Sequence, residues 1–255
     1  MRFASLGSGS RGNSTVVDSG KTSLMIDCGF SRREVERRLS NLDFLVERLD
    51  AILVTHEHSD HISGVISLAD KFDIAVYATH GTTRASSLSS LSRLIRFNAG
   101  EQFFIGDILI QSVSVPHDSL EACQYRLSVG GSTLGVLTDL GFVTKHVEEV
   151  FKCCDSLILE FNHDDNLLLN GPYPAKLKTR ISGEMGHLSN VQAANFVTKI
   201  VRDKFNLMVA HVSEKNNTRE IIRKSLEFVN HLPNCELFFA EQDVVSGWLE
   251  VSKTG

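Results

Sequence analysis

The chain has 255 residues and a formal net charge of −5. That length buries a substantial core, and the ordinary apolar and charged content excludes a disordered chain. The acidic balance excludes a protein that wraps nucleic acid by bulk charge, so a polyanion would have to be met by local cations or by bound metal.

Taken in chain order, short β-rich runs alternate with helical patterns. Ser14–Asp18 and Ser23–Asp27 are apolar stretches around Ser19-Gly20-Lys21, which predicts a hairpin. Ser31–Leu39 reads as a helix with Ser31 as N-cap and Glu34 completing a capping box. Ala51–Thr55 is a buried strand that runs into a histidine-rich loop. Ile108–Val115, Thr133–Thr138, Ser156–Glu160 and Leu207–Ala210 are further strands, and Val191–Val201 and Thr218–Val229 are helices. The stretch Asn162–Gly186, with Gly171, Pro172 and Pro174, reads as an irregular insertion. No repeat, low-complexity tract or Gly/Ser linker divides the chain, so one domain over residues 1–255 is expected. No run approaches the length of a membrane span, and Met1 leads into a strand-like run rather than a signal peptide. Five cysteines, Cys28, Cys123, Cys153, Cys154 and Cys235, include no CxxC pair. They read as small core residues of a cytoplasmic protein.

The strongest local signal is His56-Glu57-His58-Ser59-Asp60-His61. So many potential ligands in so short a loop cannot all face a core without partners, because each would bury a polar group at a cost. Imidazole and carboxylate together suit zinc, manganese or iron. His56, His117, Asp139 and His211 share a further property: each stands just past the end of an apolar strand. Strand ends can converge on one rim while the strands themselves make the core.

This motif resembles the signature of the metallo-β-lactamase superfamily. The resemblance implies an α/β fold, the αββα sandwich, with two mixed β-sheets, helices outside and metals at one edge. It also implies two divalent ions, with His56, His58 and His117 on one, Asp60, His61 and His211 on the other, and Asp139 bridging them. An aspartate at the bridging position resembles the phosphodiesterases and nucleases of the family rather than its lactamases, which have cysteine there. Asp27, in Ile26-Asp27-Cys28-Gly29, matches an aspartate that lies beneath the metal loop in the family and orients it; a turn aspartate before a glycine is the plainer reading.

Several other motifs together resemble the YycJ/WalJ-type branch, whose members are bacterial cytoplasmic 5′→3′ DNA exonucleases. These are Leu6-Gly7-Ser8-Gly9-Ser10-Arg11-Gly12-Asn13-Ser14, Leu159-Glu160-Phe161-Asn162-His163-Asp164, Gly171-Pro172-Tyr173-Pro174, Gly186-His187-Leu188-Ser189-Asn190 and His211-Val212-Ser213-Glu214-Lys215-Asn216-Asn217-Thr218. The implied reaction is attack on phosphorus by a metal-activated water, with DNA ends as the partner. The setting of His187 resembles that of a histidine in the tRNA 3′-processing ribonucleases that aids proton transfer, which would join His187 to Asp60 and Asp139 as catalytic groups. Ser189-Asn190 also reads as a helix cap, which leaves a structural role for His187 open. Ser10, Arg11 and Asn13 of the glycine-rich loop are candidates for cradling phosphate, though such a loop is also an ordinary turn. His163 and Asn216 are candidates for lining the site. Lys176, Lys178 and Arg180, if extended, share one face and form a phosphate track, or else a solvated basic edge. His80, His146 and His231 are left to surface or core roles. RNA or small cyclic phosphodiester hydrolysis, thioester hydrolysis, and a binding role without catalysis are the rival readings.

Overall fold

The computed structural model describes residues 1–152, 154–201, 204–232 and 234–251, with residues 230 and 231 described by their backbone alone. Cys153 and the side chain of His231 therefore lie outside the described residues.

Among the described residues, the strands form two seven-stranded sheets. The first contains β1 (Arg2–Gly7), β2 (Ser14–Asp18), β3 (Ser23–Ile26), β4 (Ala51–Leu53), β5 (Ala75–Thr79) and β6 (Leu94–Phe97) in sequence order, with β14 (Leu249–Glu250) beside β1. The second contains β7 (Gln102–Ile105), β8 (Ile108–Ser114), β9 (Cys123–Val129), β10 (Ser132–Leu137), β11 (Ser156–Glu160), β12 (Lys204–Ala210) and β13 (Asn234–Phe239), also in sequence order. Each sheet begins with antiparallel neighbours and ends with parallel ones. The change comes at β3–β4 in the first sheet and at β10–β11 in the second. Parallel neighbours place their C-terminal ends on one rim.

The alternation of side chains in each strand explains the layers. Val17, Leu24, Ile26 and Leu53 of the first sheet meet Ile110, Tyr125, Val136, Ile158 and Met208 of the second in one buried core. The opposite faces are apolar too. Val16, Met25, Ile52 and Val76 pack with Val35 and Leu39 of α1 (Arg32–Ser40) and Val65 and Leu68 of an Ala69-containing helix further along. Leu137, Leu157, Leu159 and Leu207 pack with three other helices through Val147, Phe196 and Ile222. The result is two mixed sheets with helices outside, the α/β sandwich the sequence leads one to expect. Cys28 and Cys123 belong to these cores; burial pushes both thiols up to about 12, so neither is a nucleophile at neutral pH. No helix of the described residues is long and apolar enough to cross a membrane.

The remaining helices are α2 (Ser59–Ile62), α3 (Val65–Phe72), α4 (His80–Arg84), α5 (Lys145–Phe151), α6 (Asp165–Asn170), α7 (Ala175–Ser182), α8 (Asn190–Ile200) and α9 (Arg219–Ser225). Three expectations fail here. The 162–186 stretch is not irregular, because it carries α6 and α7. Asp164 caps α6 by accepting from Asn166 N and Leu167 N, and Pro174 opens α7. Lys176, Lys178 and Arg180 thus sit on a helix and not on an extended segment, and at 100° per residue Lys178 points away from the other two. The N-cap at Ser31 is present, but Glu34 turns to Arg37 and Arg38 and leaves the capping box half made.

The loop after β4 is held by close backbone contact with the segment after β3. Cys28 N donates to His61 O (2.7 Å), Gly64 N to Cys28 O (2.8 Å) and Asn13 N to Asp60 O (2.7 Å). Gly29 lies so near this loop that a Cβ there would sit 1.8 Å from Asp60 O, a backbone atom that cannot swing aside. Gly29→Ala is therefore expected to destabilise the fold by about 1–3 kcal/mol through overpacking, and to lower metal content by displacing Asp60 and His61. Thermal melts beside elemental analysis check both effects.

Candidate metal centre and cleft

The rim at the C-terminal ends of the parallel strands gathers the polar residues. His56, His58, Asp60 and His61 come from the loop after β4 and from α2. His117 follows β8, Asp139 follows β10 and His211 follows β12.

One group is His56, His58 and His117. His56 Nε2 lies 3.0 Å and His117 Nε2 3.3 Å from His58 Nδ1. Nitrogens held at about 2.0–2.1 Å around one tetrahedral ion stand roughly 3.4 Å apart, so this spacing suits a shared ion. The outer ring nitrogens are engaged elsewhere. His56 Nδ1 meets Thr55 Oγ1 (2.9 Å), His117 Nδ1 donates to Gly186 O (3.2 Å) and His58 Nε2 donates to Asp118 O (3.2 Å). Each of these contacts fixes which nitrogen points inward.

The second group is Asp60, His61 and His211. Asp60 Oδ2 lies 3.5 Å from His61 Nε2 and 3.7 Å from His211 Nε2. Asp139 stands between the groups: Oδ2 is 3.3 Å from His61 Nε2, Oδ1 is 3.3 Å from His211 Nε2, and the carboxylate also groups with His56. Asp139 Oδ2 and His211 Nε2 are buried without any hydrogen-bond partner. Buried orphans of this kind are costly unless something answers them, and a divalent cation answers both a carboxylate oxygen and an imidazole nitrogen. The donor set therefore fits metal.

Electrostatics agrees. Burial alone would push the Asp139 carboxyl up, but His211 and His61 hold it well below the usual carboxylate range. Burial likewise opposes charge on His211, yet Asp139, Asp60 and Glu160 raise it to about 9. His56, buried and beside His61, is held well below the ordinary histidine value.

Beneath the loop, Asp27 Oδ1 accepts Thr55 N (2.8 Å), and Oδ2 accepts Thr55 Oγ1 (2.8 Å) and His61 Nδ1 (2.7 Å). Beside the second group opens a cleft of about 340 Å³, lined among others by Arg11, Tyr173, Arg180, His187, His211 and Lys215. His187 Nδ1 donates to Glu160 Oε2 (3.1 Å), and its ring stacks on that of His211 at 5.1 Å between centroids. Glu160 is fully buried at the end of β11 and also accepts Leu140 N (2.9 Å) and Leu188 N (3.1 Å).

Comparison with known proteins fits this geometry. Residues 22–208 match the β-lactamase superfamily domain, most of the chain. The chain is 34% identical over 93% of its length to "Exodeoxyribonuclease WalJ" of Streptococcus pneumoniae serotype 2, covering 90% of that protein. It is likewise 34% identical over 90% of its length to "Exodeoxyribonuclease YycJ" of Bacillus anthracis, covering 89% of it. The chain belongs to the metallo-β-lactamase superfamily, in its YycJ/WalJ branch. At the level of fold, the metallo-β-lactamase fold protein YhfI of Bacillus subtilis superposes with a TM-score of 0.73 at 17% identity, covering 96% of this chain and 98% of that one.

Within this superfamily fold, the expected substrate residues fare unevenly. Ser10, Arg11 and Arg180 line the cleft. Arg11 does not stand free for phosphate, since it pairs with Glu214 (2.8 Å) and Asp243 (2.7 Å). Arg180 pairs with Asp118, and Lys178 Nζ donates to Leu169 O (2.7 Å). With Lys178 on another face of the helix, the expected track of Lys176, Lys178 and Arg180 is not formed. Asn13 turns inward and donates to Gly9 O (3.0 Å) and Asp60 Oδ2 (3.2 Å), so it braces the metal loop rather than a substrate. His163 and Asn216 are buried and line no part of the cleft. His163 O accepts Asn190 N (2.8 Å), and Asn216 O accepts Asp164 N (2.8 Å), so both stitch loops together. Ser189 caps α8 with a full capping box, and His187 lines the cleft.

Sequence reasoning gave no role to Glu160, Thr55 or Asp118. A signal existed for Glu160: it ends an apolar strand, as the metal-group residues nearly do. Thr55 and Asp118 adjoin histidines of the cluster and become visible as their partners only in three dimensions.

Loading the centre should release protons. With His211 raised to about 9 in the metal-free protein, its imidazole is charged at pH 7 and must become neutral to ligate. Calorimetric titration with zinc in buffers of different ionisation enthalpy should show protons released at pH 7 from His211 and from His61, whose charged form is likewise favoured by Asp139 and Asp27. The release from His211 should fade above about pH 9, where its ring is already neutral. A pH-independent heat would contradict the placement of His211.

Proposed function

We propose that this chain, acting as a single domain, is a dinuclear metal-dependent phosphodiesterase that works as a 5′→3′ exonuclease on DNA. The observation that carries the reading is the pairing of Asp139, set between two histidine groups, with a Glu160–His187 dyad on the wall of the adjoining cleft. The extended likeness to proteins named exodeoxyribonucleases supports DNA as the substrate. His56, His58 and His117 would hold one ion, Asp60, His61 and His211 the other, and Asp139 both. Two such ions, zinc, manganese or iron by ligand chemistry, supply an acidified water and neutralise charge on phosphate oxygens.

The protein's own groups do the rest. Asp139 fixes the two halves of the site relative to each other. Asp60 is the more exposed of the two carboxylates and takes the proton that the attacking water gives up. His187 is held through Nδ1 by a buried carboxylate, which leaves Nε2 to protonate the departing alkoxide. Glu160 orients that ring and is itself fixed by two backbone N–H groups. Buried thiols such as Cys28 and Cys123 suit a reducing cytoplasm.

One observation favours the small-phosphodiester reading instead: Arg11 and Arg180, the cleft arginines, are both engaged by carboxylates. Incubating 5′- and 3′-labelled DNA and RNA with zinc- or manganese-loaded protein decides between them. Mononucleotides released from the 5′ end of DNA are expected; cleavage of a chromogenic diester with no shortening of either polymer would replace the exonuclease reading. In the same assay, His187→Ala should keep its metals and lose turnover by on the order of 10²–10⁴-fold. Asp139→Ala should lose metal and activity together, which elemental analysis resolves.

A further inference from the structure

In an acidic nuclease whose cleft arginines are already paired, Lys215 is left at the cleft, and further cations for the substrate have to come from elsewhere. A second cavity, of about 700 Å³, opens at the ends of β5 and β6 and is lined by His80, Thr83, Arg84, Ser89, Arg96 and Glu121, with Leu120 at its edge. Arg84 and Arg96 are exposed and form no ion pair among the described residues, whereas nearby Arg93 is answered by Asp73 and Arg180 by Asp118. The one carboxylate in this cavity is occupied: Glu121 Oε2 accepts Gly81 N (2.5 Å) and Oε1 accepts Ala99 N (3.2 Å). It ties the cavity floor together and leaves both guanidinium groups open to an external anion.

The topology puts this cavity next to the metal centre. β4, β5 and β6 are consecutive parallel neighbours, so the metal loop, α4 with His80 and Arg84, and the end of β6 with Arg96 lie on one rim. Two strand spacings separate β4 from β6, roughly 10 Å. The wall between is the segment that follows His117: Asp118 faces His58, Leu120 N donates to Glu57 Oε1 of the metal loop (2.7 Å), and Leu120 and Glu121 line the cavity. A strand whose end lies at the metals and runs along this rim brings its next phosphates over Arg84 and Arg96.

We infer that the His80–Arg84–Arg96 cavity is a phosphate-binding subsite for the DNA strand being digested. The inference rests on the exonuclease reading of the metal centre and supplies the cationic contacts that α7 does not. Planar guanidinium groups with the Ser89 hydroxyl suit phosphodiester oxygens and carry no base preference.

The test is binding of a phosphorothioate-linked single strand, labelled at its 3′ end, to metal-loaded protein, followed by anisotropy over a salt series. Arg84→Ala/Arg96→Ala should weaken binding by about tenfold or more at low salt. Its log–log salt slope should be shallower by about 1.4, at roughly 0.7 per phosphate contact on a single strand. Arg84→Lys/Arg96→Lys should retain most of the slope, because the charge remains. Matching thermal melts establish that the variants are folded. If the wild type binds the strand and the double alanine variant binds it with equal affinity and slope, the subsite is overturned while the exonuclease reading stands. If the wild type itself binds no strand yet still cleaves a small diester, both fall.

Discussion

The carboxylate of Asp27 is the contact on which the site depends. Buried at the end of β3, it accepts from the backbone and the hydroxyl of Thr55 and from Nδ1 of His61, and so binds the ends of β3 and β4 to one ring of the metal group. Its Coulomb field, with that of Asp139, holds a proton on a His61 that burial would otherwise discharge. With Nδ1 committed below, Nε2 is left toward Asp60 and Asp139. A single anionic side chain thereby sets the position and charge of His61 from underneath, the role expected of a partner behind a metal-binding histidine.

The cost of the arrangement shows in the backbone. Asp27, Asp139 and His211 all adopt left-handed conformations, with φ of 57°, 53° and 49°. Each stands just past a strand, and a left-handed residue there turns the chain so that the side chain leaves the sheet plane for the rim. Such a conformation costs roughly 1–2 kcal/mol for a residue with a Cβ, and it persists only where the surroundings over-determine it. Here the surroundings are the two sheet cores, whose strands are apolar on both faces. Hydrophobic packing of the strands thus supports strained polar residues at their ends.

Charge is distributed in a way that follows from the net balance. Much of the arginine complement braces the fold, as Arg38 does by donating to Leu6 O (2.6 Å) and Gln242 O (2.9 Å) and Arg11 by joining Glu214 and Asp243. Among the described residues, the guanidinium groups of Arg84 and Arg96 stay open on the metal rim.

The sequence by itself determined which residues stand at the rim, and its resemblance to the metallo-β-lactamase superfamily implied the α/β sandwich. An apolar run followed at once by a histidine or aspartate places the strand in a core and its polar end outside it, whichever neighbours it pairs with. His56, His117, Asp139 and His211 were legible for that reason, and the compact His56–His61 loop because its candidate metal-binding residues are neighbours in sequence. Residues whose role depends on what lies across the fold were not legible. Lys176, Lys178 and Arg180 alternate like a strand, yet Pro174 opens a helix there and separates Lys178 from the others. Asn216 and His163 stand in polar motifs, yet loop packing buries both. Glu160 becomes a partner of His187 only when parallel β11 lies beside β10 and under the loop after α7. Arg84 and Arg96, apart in sequence, share a cavity only because β5 and β6 run parallel. Local pattern decides whether a residue is core or rim; which rim residues meet is decided by strand order, because that order alone sets distances between segments remote along the chain.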